Sequence, residues 1–151
     1  MATREVPFDR ALAEFKAESF KMAREVLIRS AIDFVAFASR PRRRGGNMPV
    51  DTGFLRGSET WHRTGARPSP RKPTSDQKQR SRLDAGVDTR RPAAARAAFG
   101  RADDAEVTWR ADYAAEVERG SSTQRPSRMV SLAVMRWKRI IARNLKEVAG
   151  A

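Results

Sequence analysis

The chain contains no cysteine, a single histidine and no long apolar run. Without cysteine there is no disulfide, no thiol nucleophile and no cysteine-ligated metal. With His62 alone, a metal site built from several histidines is excluded as well. No stretch approaches the roughly 18 apolar residues of a membrane span, and the N-terminus lacks the apolar segment of a secretory signal. We therefore expect a soluble protein that is made in the cytoplasm and does not contact a membrane.

What the sequence does contain is positive charge, most of it in one segment. The 151 residues include 31 Lys and Arg against 18 Asp and Glu, a formal net charge of +13. Residues 1–39 hold six basic and six acidic residues, residues 40–101 sixteen and five, and residues 102–151 nine and seven. A basic middle segment indicates a polyanionic partner, an acidic protein surface or a flexible arm, and composition does not choose among them.

Hydrophobic periodicity predicts a single α+β domain that begins and ends with a long helix. Apolar residues recur at helical spacing over 9–39, where Asp9 is the expected N-cap and Pro41 the stop. A second apolar stripe predicts a helix over 126–149. The domain is expected to span residues 1–151. We expect its tryptophans to pack in a shared core or interface; they are Trp61, Trp109 and Trp137.

The middle of the chain predicts a small antiparallel or mixed sheet, interrupted by a long basic loop. The pattern favours a strand over 54–62 and further strands within 105–118. Residues 40–101 are otherwise loop or arm, apart from a short alanine-rich helix over 92–99 with its proline at the first position. Residues 64–89 are rich in charge and proline and poor in large apolar side chains. We expect them to form a mobile arm, or one ordered only in an assembly.

A search for catalytic groups finds no cluster. His62 is most simply a strand-end or surface residue, and Asp103-Asp104 is a typical turn pair. Glu116 and Glu118 would share one face of a strand, but no second acidic cluster is evident near them. We therefore predict that the protein is not an enzyme and has no cofactor and no metal site.

The basic residues of the middle segment form a cationic track. Lysines and arginines at this density would neutralise several phosphates and give affinity that depends on salt but not on sequence. No Phe, Trp or Tyr lies between His62 and Phe99, so the track has no platform for stacking bases. Contact with a DNA backbone, contact with an acidic partner and a solvated arm all stay open. The residues concerned are Arg42, Arg43, Arg44, Arg67, Arg71, Lys72, Lys78, Arg80 and Arg82.

Two motifs lie in order between the terminal helices. The first, residues 48–58, reads Met-Pro-Val-Asp-Thr-Gly-Phe-Leu-Arg-Gly-Ser. The second, residues 112–120, reads Asp-Tyr-Ala-Ala-Glu-Val-Glu-Arg-Gly and is followed by an Arg-Pro and the last helix. This arrangement resembles the tail-component, or tail-completion, family of long-tailed phages. It departs from that family at Arg119, where an aromatic residue is usual, and at Ser127, where phenylalanine is usual.

The resemblance implies a structural protein of the phage neck, where head and tail join, and hence a location in the virion. Its partners would be the stopper or adaptor, the tail terminator and the tail tube. We also expect a homo-oligomeric ring through which DNA passes, because a long apolar helix face suits head-to-tail contacts. The alternative is a free-standing nucleic-acid-binding protein that uses the basic arm without reading sequence. The residues that match the family motifs are Asp51, Thr52, Gly53, Leu55, Arg56, Tyr113, Ala114, Glu118, Gly120, Arg125 and Pro126.

Several motif residues also have roles that follow from their own chemistry. Asp51 can accept backbone N–H groups in a turn, and the glycine of the first motif can adopt a positive φ. In a strand, Leu55 would face the core and Arg56 the opposite side. We expect Arg56 to pair with Glu118 or Glu116, across the sheet or between subunits.

Overall fold

The computed structural model describes residues 7–49, 53–66, 68–74, 86–100 and 104–150. The fold is α+β and mostly helical, and the predicted long helices at both ends are confirmed. In chain order the elements are α1 (Phe8–Ala38), a 3-10 turn (Arg42–Arg44), α2 (Phe54–Gly57), β1 (Glu59–His62), α3 (Val87–Phe99), β2 (Glu106–Trp109), α4 (Ala114–Arg119) and α5 (Met129–Ala149).

The first helix, α1, is continuous over 31 residues and is therefore about 46 Å long at 1.5 Å per residue. Pro7 stands at its N-cap and no side chain caps this end, so the assignment of Asp9 as the N-cap is wrong. Asp9 lies in the first turn instead, where a carboxylate still stabilises the free N–H groups. The helix ends at Ala38, and Pro41 follows in extended backbone.

The last helix, α5, packs antiparallel against the second half of α1. Trp137 meets Phe34 edge to face, with ring centroids 5.7 Å apart. Further along α5, Arg143 and Asn144 donate to Asp33 at 2.7 and 2.8 Å. These contacts make the α1–α5 pair the frame on which the remaining elements lie.

The sheet has two antiparallel strands within the described residues, with Glu59 of β1 opposite Trp109 of β2 and His62 opposite Glu106. The prediction of strands within 105–118 is correct for β2 alone. Residues 114–119 form the helix α4, so Glu116 and Glu118 do not share a strand face. Ala-Ala-Glu-Val-Glu-Arg is made of good helix formers, apart from its one valine, which explains the difference.

The predicted strand over 54–62 is correct only in its second half. Residues 54–57 form the single helical turn α2, which follows Gly53 at a φ of 77°. Phe54, Leu55 and Arg56 are all buried. Three consecutive side chains cannot all point to one face of a strand, but one helical turn directs them into a common interior.

Helix α3 begins at Val87, five residues before the predicted start, and Pro92 therefore lies inside it. Gly86, at a φ of 74°, turns the chain into the helix, and Thr89 Oγ1 donates to the Gly86 carbonyl at 2.9 Å. Pro92 removes one backbone hydrogen bond, but its ring is exposed while Val87 and Arg91 are buried. The buried side chains of Val87 and Arg91, which precede the proline, determine where α3 begins, and the sequence pattern does not reveal their burial.

The predicted arm over 64–89 is partly replaced by ordered contacts. Residues 87–89 belong to α3, and residues 68–74 run beside the end of β2. There the Arg71 N–H donates to the Arg110 carbonyl at 2.5 Å, and the Asp112 N–H donates to the Arg71 carbonyl at 3.0 Å. The predicted arm therefore ends before residue 87, because residues 87–89 are helical, and residues 75–85 lie outside the described residues.

Candidate interaction surfaces

The two sequence motifs meet in one apolar cluster. The rings of Phe54 and Tyr113 have centroids 6.4 Å apart. The carbonyl of Ser58 accepts the Arg110 N–H at 3.1 Å, which ties the first motif to the approach of the second. Leu55 is buried as predicted, and Tyr113 and Ala114 are half-buried against the same cluster. Its buried members are Met48, Phe54, Leu55, Ala111, Val117 and Met129.

Arg56 is buried and does not lie on an opposite sheet face. Its Nη2 lies 2.5 Å from Asp88 Oδ2 of α3, and its Nε donates to the Ser39 carbonyl at 3.0 Å. The predicted pair with Glu116 or Glu118 is not among these contacts, because α2 turns the guanidinium toward the end of α1.

Arg56 belongs to a connected group of four charged side chains, three of them buried and the fourth, Asp88, 52% exposed. Glu59 accepts two hydrogen bonds from Arg91, at 2.9 and 2.7 Å, and these two side chains are only 3% and 2% exposed. Arg91 also donates to Asp88 at 2.8 Å. Burial acts to raise the pKa of Asp88, but the hydrogen bonds and charges of Arg56 and Arg91 outweigh it and lower that pKa. Since each charge has an opposite partner, the group ties α2, β1 and α3 together and is structural.

Glu118 binds the first turn of α5. Its Oε2 accepts the Val130 N–H at 3.0 Å, and its Oε1 accepts the Ser131 N–H at 2.9 Å and the Ser131 hydroxyl at 2.6 Å. Burial acts to raise the pKa of Glu118, but these hydrogen bonds outweigh it and lower the pKa. The sequence predicts this helix from residue 126, whereas it begins at Met129, where Glu118 supplies the cap.

A tight loop joins α4 to α5. Gly120 has a φ of 86°, and a Cβ on it would lie 2.9 Å from the Pro126 nitrogen, so the motif glycine is required here. Arg125 and Pro126 are exposed and precede α5 without being part of it.

The fold divides the predicted cationic track. Arg42, Arg43 and Arg44 form the exposed 3-10 turn that follows α1. Arg42 Nη2 donates to Ser127 Oγ at 3.4 Å, whereas Arg44 Nη1 lies 4.0 Å from Asp88. The three neighbours in sequence therefore have different surroundings, which their spacing does not predict.

Arg71 and Lys72 lie elsewhere, exposed beside the end of β2. Asp112 and Glu116 line the same shallow depression as Lys72, so this part of the surface is mixed in charge. The remaining predicted residues lie outside the described ranges: Asp51, Thr52, Arg67, Lys78, Arg80 and Arg82.

Arg136, which the sequence pattern does not single out, meets Arg40 at one aromatic ring. The guanidinium carbons of Arg136 and Arg40 lie 4.4 and 5.7 Å from the centroid of the Phe37 ring. Both arginines are exposed. The antiparallel pairing of α1 with α5 brings them together, and no spacing along the sequence predicts that contact.

His62 ends β1 as predicted, but its side chain is only 9% exposed and is not a surface group. Its Nε2 lies 2.8 Å from Thr108 Oγ1, and its Nδ1 lies 3.1 Å from the Arg63 carbonyl. Across the ranges that the structure describes, no three His, Asp or Glu residues are placed to hold a metal ion.

An apolar cleft of about 330 Å³ opens between the second half of α1, the sheet and α5. It is larger than the roughly 150 Å³ that holds a benzene molecule inside a protein. Two of the tryptophans line it, while Trp109 packs against the motif cluster. The cleft residues are Ala31, Phe34, Val35, Trp61, Ala105, Val107, Val134 and Trp137.

The first half of α1 extends beyond the body of the protein, and we call residues 8–22 the overhang. Every one of these residues is exposed, whereas most from Arg24 to Ala38 are half-buried or buried. Phe8, Leu12, Phe15 and Met22 recur at intervals of four, three and seven residues and share one helix face. Phe8 and Phe15 are 76% and 67% exposed, so this face is apolar and open to solvent.

Comparisons of the chain with protein-family models, with curated proteins and with solved structures find no match. Among the described residues, no helix combines the length and the apolar character that crossing a membrane requires. The described part of the chain thus presents two apolar surfaces, the overhang and the cleft, beside the motif cluster and the arginines at Phe37.

Proposed function

We propose that the protein is a structural subunit of a bacteriophage neck, whose copies join head to tail in a ring through which DNA passes. The overhang is the observation that carries this proposal. It is part of one continuous helix and has an exposed apolar face, in a chain whose body also presents an apolar cleft. Exposed apolar surfaces of this kind mark contacts with other proteins.

A copy cannot fill its own cleft with its own overhang. The cleft includes Ala31, Phe34 and Val35 of α1 itself, and α1 is one continuous helix. At 1.5 Å per residue, Phe8 lies roughly 35 Å from Ala31 along the helix. The overhang of one copy can enter the cleft of the next, and a contact between two different surfaces, when repeated, closes into a ring.

Charge permits a second copy as the occupant of the cleft. The overhang carries three acidic residues and three basic residues, so it is neutral. Its approach to another copy is therefore not opposed by the net charge of +13 that the whole chain carries. The six residues are Asp9, Arg10, Glu14, Lys16, Glu18 and Lys21.

The motif residues support the proposal because they position the helix that lines the cleft. The motif cluster and Glu118 fix the start of α5, and α5 supplies Val134 and Trp137 to the wall of the cleft. In this arrangement the residues that resemble the tail-completion family hold the cleft in shape. The overhang and the cleft then make the contact between subunits.

Sedimentation velocity on three variants tests the head-to-tail contact. Phe8→Ser with Phe15→Ser removes the overhang face, Val134→Lys places a charge in the cleft, and Phe20→Ser is the matched control. Phe20 is 75% exposed but lies off the shared face. We expect rings from the native chain and the control, and monomers from the other two. A mixture of the overhang and cleft variants should form dimers and nothing larger, since each keeps one intact surface.

The place in the neck is tested separately, by gold labelling of a tagged chain in purified virions. We expect label at one position between head and tail. A protein abundant in infected cells but absent from intact virions would overturn the neck proposal, even if the purified chain forms rings.

A further inference from the structure

The arginines at the junction of α1 and α5 form a surface without neutralising carboxylates. Arg40, Arg42 and Arg136 are exposed, and in the described part of the chain none of them lies within 4 Å of an acidic side chain. This contrasts with Arg44, near Asp88, and with the fully paired Arg91. Several cations in a small area repel one another unless an anion lies between them.

The geometry concentrates these charges. Arg40 and Arg136 share the Phe37 ring, which attracts each guanidinium through its negative face and so holds the two cations close together. Arg42 is held at the approach to α5 by its hydrogen bond to Ser127. Arg40 and Arg42 follow the end of α1 and Arg136 lies on α5, so the packing of α5 on α1 brings the two stretches together.

From this arrangement we propose that Arg40, Arg42 and Arg136 bind the phosphodiester backbone of duplex DNA. Planar guanidinium groups match phosphate oxygens and carry no sequence information when they contact phosphate alone. The aromatic ring at the site already contacts two guanidinium groups, which compete with an unpaired base for stacking on it. A duplex backbone therefore fits the surface better than single-stranded nucleic acid does.

The proposal goes beyond the ring and does not depend on it. The surface lies at the end of α1 opposite the overhang, and binding can be measured on the monomeric Val134→Lys variant. Failure to bind DNA would leave head-to-tail assembly standing. Failure to assemble would leave DNA binding by the monomer standing.

Fluorescence anisotropy with a labelled duplex of random sequence, over a series of salt concentrations, tests the site. The triple variant Arg40→Gln, Arg42→Gln, Arg136→Gln should bind about 100-fold more weakly at about 0.15 M salt. The slope of log affinity against log salt should fall by about 3. The matched control Lys16→Gln, Lys21→Gln, Lys146→Gln removes the same charge away from the junction and should change affinity by less than about threefold.

Two further measurements make each result decisive. Replacing the three arginines by lysines should restore most of the affinity, and circular dichroism should show that every variant is folded. Equal losses in the test and control variants would overturn the proposal in favour of net charge alone. Unchanged affinity in the test variant would overturn the proposal as well. So would displacement of the duplex, with equal affinity, by a single strand or by an acidic polypeptide.

Discussion

The two halves of α1 have similar amphipathic sequences and opposite surroundings. Residues 24–38 pack on α5 and α3, and Ile28 and Val35 are only 2% and 1% exposed. Residues 8–22 carry apolar side chains at the same helical spacing, yet all of them face solvent. Periodicity therefore determines which face of a helix is apolar. The length of the neighbouring helix determines where that face is covered.

The first prediction compares an ion pair in the body with one in the overhang. Glu59→Ala leaves the buried Arg91 without its main partner and should lower the free energy of unfolding by about 3–5 kcal/mol. Glu14→Ala breaks the exposed pair with Arg10 and should cost less than about 0.5 kcal/mol. Urea denaturation of the monomeric Val134→Lys variant measures both. Equal costs would show that burial does not distinguish the two regions.

The second prediction compares apolar side chains along the same helix. Ile28→Ala should destabilise the monomer by about 2–4 kcal/mol, because it removes buried contacts and leaves a cavity. Phe15→Ala should change the stability of the monomer by less than about 0.5 kcal/mol, since it deletes an exposed ring. The same urea experiment applies to both variants. A large loss for Phe15→Ala in the monomer would mean that the overhang is covered within its own chain.

The third prediction concerns the starts of the two long helices. The start of α5 is capped by Glu118, whereas no side chain caps the start of α1. Glu118→Ala should cost about 1 kcal/mol, whereas Asp9→Ala at the start of the overhang should cost less. Because the folded pKa of Glu118 is lowered, its contribution is present at neutral pH and is lost as the pH falls below the ordinary glutamate value. Thermal melting of both variants at pH 7 and under acidic conditions measures the difference.

The fourth prediction addresses the border between the two halves. Hydrogen bonds from Arg96 and Arg29 lower the pKa of Glu25 from 4.5 to about 2. The stabilisation is therefore present above pH 4.5 and is lost as the pH falls toward 2. Water screens this partly exposed pair, so Arg96→Gln should cost at most about 1 kcal/mol at pH 7. An NMR titration of the Glu25 carboxyl should show its pKa rising in that variant, and an unchanged pKa would contradict the assigned pair.

The sequence predicts those elements whose signals are local. The long helices follow from stripes of fifteen or more residues, and the strand of β2 follows from the alternation in Glu-Val-Thr-Trp. Prediction from sequence fails in α2, where consecutive residues are buried and alternation does not apply. It also fails at Pro92, because α3 begins at buried residues that precede the proline. In both places the deciding contacts come from elements far away in the sequence.

The candidate sites also contain some features that the sequence predicts and others that it does not. Gly53 adopts the positive φ predicted for it, and Gly120 adopts a positive φ that was not predicted. The partner of Arg56 could not be predicted, because Asp88 lies on another helix and neither residue has a distinguishing neighbour. Arg136 was missed for a related reason: its role depends on Phe37, which only the packing of α5 against α1 brings near.

The continuity of α1 also has a mechanical consequence. From Arg24 onward the helix packs on the body, whereas the overhang before that point is exposed, so the helix pivots near the Glu25–Arg96 pair. The exposed part is roughly 24 Å long, and a tilt of about 10° at the pivot therefore displaces Phe8 by about 4 Å. A slight tilt at one point thus shifts the end of the helix by about the width of a methyl group, while the interior of each copy stays unchanged.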